Sequence, residues 1–159
     1  MKRAALIAAT ASATVAGAAF LGLVAVPAAY DWYEGRHEES ATYATGTAAK
    51  EARTSVPRWL PDAAQEISYA MKTTGGERLM KATLPKTPAN PLPATCKPLP
   101  KDQRAKDPEL QAPWFPKQTT GKQATHRCEI YYAYTDGDTL YAWQHNDDWI
   151  ASNKAAAGH

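Results

Sequence analysis

Ala4 to Val26 is an unbroken run of uncharged, mostly apolar residues directly behind Lys2 and Arg3. No other stretch constrains the 159-residue chain so strongly, because such a run belongs in a membrane or a translocation signal. As a helix its roughly 23 residues reach about 35 Å, enough to cross a hydrocarbon layer about 30 Å thick with some tilt. Lys2 and Arg3 keep residues 1–3 in the cytoplasm, which predicts a transmembrane anchor over 4–26 and everything beyond it outside. Tyr30, Trp32 and Tyr33 follow as interfacial aromatics. The competing reading is a signal peptide cleaved near Val26-Pro27-Ala28. The first reading makes a single-pass protein of the cell membrane and the second a secreted one. Both export the remainder.

That export bears on the two cysteines, Cys96 and Cys128, which both follow the run. An even count in an oxidising compartment predicts one disulfide between them. They lack the C-x-x-C spacing or neighbouring ligands of a redox or zinc site, and no metal or cofactor is expected. From Val56 onward 13 Lys and Arg face 11 Asp and Glu without a basic block, so nucleic acid is not an expected partner.

Residues 27–54 carry few large aliphatics and no sustained period, and they read as a flexible tether. Residues 55–150 are enough for one small extracytoplasmic domain. It opens on Pro57-Arg58-Trp59-Leu60-Pro61, where the prolines exclude a long helix. Ile67, Tyr69 and Met71 then alternate with polar or small residues, Thr73-Thr74-Gly75-Gly76-Glu77 turns, and Met80, Ala82 and Leu84 share a face. This predicts a β-hairpin, although residues 61–71 also fit a helix. Pro85, Pro88, Pro91, Pro93, Pro98, Pro100, Pro108, Pro113 and Pro116 make the next stretch irregular, and Cys96 would pin it to the strand holding Cys128.

Cys128 to Tyr134 and Thr139 to Gln144 alternate around Thr135-Asp136-Gly137-Asp138 and predict a second hairpin. A four-residue loop there places Tyr132 opposite Tyr141 and Ile130 opposite Trp143. Residues 151–159 read as a disordered tail. The expected fold is a transmembrane helix plus a small β-rich domain, all-β or α+β. Its antiparallel sheet is built of two hairpins, with Trp59 and Trp114 on one face and a disulfide-stapled proline-rich loop.

Chemistry is sparse. Neither a G-x-S-x-G elbow nor an S-x-x-K motif is present, and Asp136-Gly137-Asp138 reads as a turn. His145 with Asp147 and Asp148 is the nearest approach to a metal set, yet a solvated strand end explains it as well. Tyr131, Tyr141, Trp143 and Trp149 form a candidate ligand surface, because a thin sheet with one covered face cannot bury every C-terminal aromatic. The alternative is that the proline-rich loop covers the second face.

Pro57-Arg58-Trp59-Leu60-Pro61-Asp62-Ala63-Ala64, the Thr73-Thr74-Gly75 turn, Cys128 and the Tyr141-Ala142-Trp143 strand resemble small, alanine-rich, membrane-anchored proteins of high-GC Gram-positive bacteria. The resemblance covers 55–84 and 128–144, and it implies an extracytoplasmic domain behind a single helix without supplying catalytic residues. The reading is a membrane-anchored binding or accessory domain of the cell envelope, not an enzyme, meeting another envelope protein or a cell-wall polymer. The alternative is an envelope hydrolase using a carboxylate or histidine site.

Overall fold

A computed structural model describes residues 37–86, 92–117 and 124–158. The anchor expected over 4–26 and the tether up to residue 36 lie outside the described residues. Among the described residues, no helix is long and apolar enough to cross a membrane. Residues from Glu38 onward make one compact unit.

In chain order the elements are β1 (Glu38–Thr45), α1 (Gly46–Ala52), β2 (Gln65–Lys72), β3 (Arg78–Thr83), β4 (Cys96–Pro98), β5 (His126–Cys128), β6 (Tyr131–Asp136), β7 (Thr139–Gln144) and α2 (Asn146–Ala157). The strands form one seven-stranded sheet in the order β1-β2-β3-β7-β6-β5-β4, every pairing antiparallel. The two expected hairpins are its centre. Residues 65–72 are strand and not helix, with a register shift between Gln65 and Ser68 where Glu66 takes φ 51.

Four expectations are corrected. Residues 38–54 are not a tether: β1 lies along β2 from Glu38↔Lys72 to Thr45↔Gln65, and Thr45 then caps α1 by accepting from the Ala48 amide at 3.2 Å. A single large apolar residue, Tyr43, carries the alternation of β1, so its period was too faint to read. Of the tail expected over 151–159, residues 151–157 are helical, because α2 runs on to Ala157. Asp147 and Asp148 in its first turn and Lys154 in its last suit the helix dipole, but none of its residues is buried and no apolar stripe marks it.

The third correction concerns the second hairpin, whose loop is Gly137-Asp138 alone. Gly137 takes φ 60 at the first loop position, the place where a type II′ turn requires glycine. Tyr132 therefore faces Trp143 and Tyr134 faces Tyr141. The slip is two residues, so each side chain keeps its expected face.

Fourth, the sheet is covered on both faces, and Trp59 and Trp114 lie on opposite sides. Trp59, Leu60, Ile67, Tyr69, Met80, Leu140 and Tyr131 belong to one core cluster. Ala70, Leu79, Tyr132 and Trp143 pack with Leu110 and Phe115 in the other, against which Trp114 lies. The first cluster is closed by α1 and residues 53–64, the second by the proline-rich strap 99–117. Cys96 and Cys128 are bridged, directly opposite one another in the β4–β5 ladder.

Candidate functional site

The strap and the sheet face beneath it form the most site-like region among the described residues. Alternation along β6 and β7 sends Tyr132, Tyr134, Tyr141 and Trp143 to the same face. Tyr134 stacks on Tyr141 with centroids 5.2 Å apart, and Tyr132 lies 5.8 Å from Trp143. Phe115 drops from the strap edge-on to Tyr141 at 5.8 Å and to Trp143 at 6.3 Å.

The prolines that prevent regular structure here also make the strap stiff, since each fixes its own φ. Local turns satisfy two of its amides, Gln103 donating to the Pro100 carbonyl at 3.0 Å and Phe115 to that of Ala112 at 3.0 Å. At its start the strap is tied to the sheet by Leu99, whose amide donates to the Thr125 carbonyl at 2.9 Å.

Between Asp107 and Lys117 the strap encloses a cavity of about 460 Å³. Leu110, Pro113 and Phe115 supply apolar wall, while Asp107, Gln111 and Lys117 supply polar and charged groups. This volume is within the usual range for ligand pockets, about 300–1,000 Å³. A second hollow of about 500 Å³, lined in part by Lys101, Asp102 and Arg104, lies at the other end of the strap and draws on neither Leu110 nor Phe115.

A charge cluster clamps the strap to the start of α2. Lys106 Nζ meets Asp148 Oδ1 at 2.9 Å and Asp147 Oδ2 at 3.5 Å. Arg127 of β5 meets Asp148 Oδ2 at 3.2 Å, and its guanidinium lies 4.1 Å above the centre of the Tyr132 ring. Glu109 accepts from the Asn146 amide at 2.9 Å. Burial pushes the Asp148 carboxyl up, but hydrogen bonding from Lys106 and the charge of Arg127 outweigh it and hold the group below its ordinary value. The same bond raises Lys106.

His145 is part of this clamp. Its Nδ1 accepts from the Asp147 amide at 3.2 Å as the cap of α2, which leaves Nε2 toward Glu109 Oε1 at 3.5 Å. Both ring nitrogens thus have structural partners. Among the described residues, no three His, Cys, Asp or Glu side chains converge on a point where a metal ion would sit.

The candidate ligand surface of Tyr131, Tyr141, Trp143 and Trp149 is not one surface. Tyr131 is buried on the face opposite Trp143, and burial raises its phenol well above the ordinary value. Trp143 is fully buried under the strap, with Nε1 donating to the Lys106 carbonyl at 2.8 Å. Tyr141 is half-buried beside Phe115, and Trp149 is 36% exposed on α2. The alternative holds instead: the proline-rich loop covers the second face of the sheet.

Lys106, Glu109, Leu110, Phe115 and Arg127 were not read as a group. Lys106 and Asp148 are 42 positions apart, and no spacing rule joins residues at that distance. The one local hint was Trp114-Phe115-Pro116, an aromatic pair inside a proline-rich stretch. Neither the family models, the curated proteins nor the solved structures contain a match to this chain.

Proposed function

We propose that this chain is a binding domain of the cell envelope, exposed outside the cell behind its Ala4–Val26 segment, and that the strap cavity seats part of a protein partner. The observation that carries this reading is the cavity itself, with apolar wall from Leu110 and Phe115 and charged groups from Asp107 and Lys117. A peptide segment offering an apolar side chain between charged neighbours matches it. The Cys96–Cys128 bridge supports the compartment, since such bonds persist where the environment is oxidising.

Two observations favour this reading over its rivals. Recognition of a sugar polymer by stacking needs rings open to solvent, whereas Tyr132 and Trp143 are covered. Of the groups a hydrolase would draw on, the ring of His145 is engaged as a cap and clamp. Binding is therefore the reading these contacts support best.

The test uses the full-length protein in its own cells, with a photoreactive side chain at Gln111 or Lys117. Irradiation is expected to give one discrete adduct with an envelope protein, absent when the probe is moved to Lys154. Gln111→Trp, which fills the cavity mouth, is expected to remove the adduct formed from Lys117. Equal labelling from all three positions, or an adduct indifferent to Gln111→Trp, would overturn the reading.

A further inference from the structure

The two ends of the sheet are built differently. At one end β4 is three residues long, carries Lys97, finishes on Pro98 and is covalently tied to its neighbour. Short length, lysine and proline are the usual guards against edge-to-edge pairing. At the other end β1 runs for eight residues, Glu38–Thr45, with neither lysine nor proline, and among the described residues it pairs only with β2. Ser40, Thr42 and Ala44 are exposed on its open side, while Ala41, Tyr43 and Thr45 are half-buried on the covered side. The outward backbone groups of such a strand are a template for another strand.

We propose that β1 pairs with β1 of a second copy of this chain, antiparallel about a two-fold axis through Thr42, so that the two sheets become one. Charge selects this arrangement. Parallel self-pairing would set the exposed Glu38 against the partner's Glu38, a destabilising juxtaposition, while Glu39 is already paired with Arg53 at 2.7 Å. Antiparallel pairing removes it. Because side chains alternate, residues that face each other across two copies of one strand lie on the same face, and the axis passes through a residue.

Of the two central residues, Ala41 as the axis would draw both glutamates of each copy into the ladder. With Thr42 as the axis, Glu39 faces Thr45, Ser40 faces Ala44 and Ala41 faces Tyr43, while Glu38 falls past the last pair. Thr42 then meets its own copy on the open face, and threonine pairs are among the favourable cross-strand neighbours. An edge that is neutral at its centre and acidic only at one end complements itself when reversed. This surface is separate from the strap cavity and does not depend on what that cavity binds.

The full-length protein is the sample, kept in its membrane or in mild detergent. Native mass measurement is expected to give twice the chain mass, and Thr42→Lys, which sets two ammonium groups face to face, is expected to give the single mass with the Cys96–Cys128 bridge retained. Mild oxidation of Thr42→Cys is expected to form a covalent dimer, because directly opposed residues fall within the roughly 7 Å between Cα atoms that a disulfide tolerates. Ala44→Cys alone is expected to stay uncrosslinked, its two copies being about 14 Å apart along the strands. A mixture of Ser40→Cys and Ala44→Cys chains is expected to crosslink. A single chain mass for the wild type, or Ala44→Cys crosslinking as readily as Thr42→Cys, would overturn the proposal.

Discussion

The indole nitrogen of Trp143 donates to the backbone carbonyl of Lys106 across 2.8 Å, joining the central strand β7 to the strap that covers it. The same residue, Lys106, meets Asp148 through its side chain. The strap is therefore held by a neutral bond beneath it and a charged one at its margin. Trp143→Phe keeps an aromatic ring but leaves the Lys106 carbonyl without its donor. We expect a loss of about 1–3 kcal/mol, read as a lower urea midpoint at unchanged slope.

The charged bond has a pH signature. The folded pKa of Asp148 lies below its usual value of 3.8, so the unfolded chain binds more protons as the pH falls. The stability this group contributes is complete above its unfolded value and lost as the pH drops through the folded one. Lys106 is the mirror case: raised above 10.5, its contribution is complete below that value and lost as the pH rises through the folded one. Asp148→Asn is expected to lower stability at neutral pH by about 1 kcal/mol, part of the pair being open to solvent, and to flatten the acid limb. Unfolding in urea across a pH series measures both.

Breaking the staple acts on a longer loop. Cys96 and Cys128 are separated by 32 positions, and the chain-entropy model gives about 3.7 kcal/mol for closing such a loop. A double Cys→Ser variant is expected to fall in denaturation midpoint accordingly. Because the bridge lies at the β4 edge, hydrogen exchange is expected to rise first at Lys97 and Arg127 and last in β3 and β7.

Gly76 and Gly75 are neighbours with opposite tolerance. A Cβ on Gly76 would overlap the Cβ and Cγ of Trp149, while Asn146 Oδ1 accepts from its amide at 2.9 Å and Gln144 donates to its carbonyl. A Cβ on Gly75 would meet only the end of the Glu77 side chain, which can swing away. Gly76→Ala is expected to cost about 1–3 kcal/mol and to shift Trp149 fluorescence toward that of an exposed indole. For Gly75→Ala a smaller loss and no fluorescence change are expected.

The central hairpins were legible because their residues announce themselves locally. Ile67, Tyr69 and Met71 alternate against Met80, Ala82 and Leu84 around a glycine-bearing turn, and Tyr132 and Tyr134 against Tyr141 and Trp143 around Asp136-Gly137-Asp138. Register was less legible than face, since a slip of two residues changes partners without moving any side chain to the other side. β1 and α2 were missed for a common reason. Ser40, Ala41, Thr42 and Ala44, like Ala151, Ala155 and Ala156, are too small or too solvated to print a period.

What the sequence determined by itself is the pairing of Cys96 with Cys128, the two hairpins and the faces of their residues, because each follows from cysteine count or from alternation within a few residues. Tertiary structure alone decided that residues 99–117 fold back over Tyr132 and Trp143, that Lys106, Arg127 and Asp148 meet, and that β1 closes one side of the sheet while β4 closes the other. Those relations join positions far apart in the chain. Their energy comes from apolar area removed from water and from charges brought within a few ångströms, neither of which exists until the intervening chain has folded.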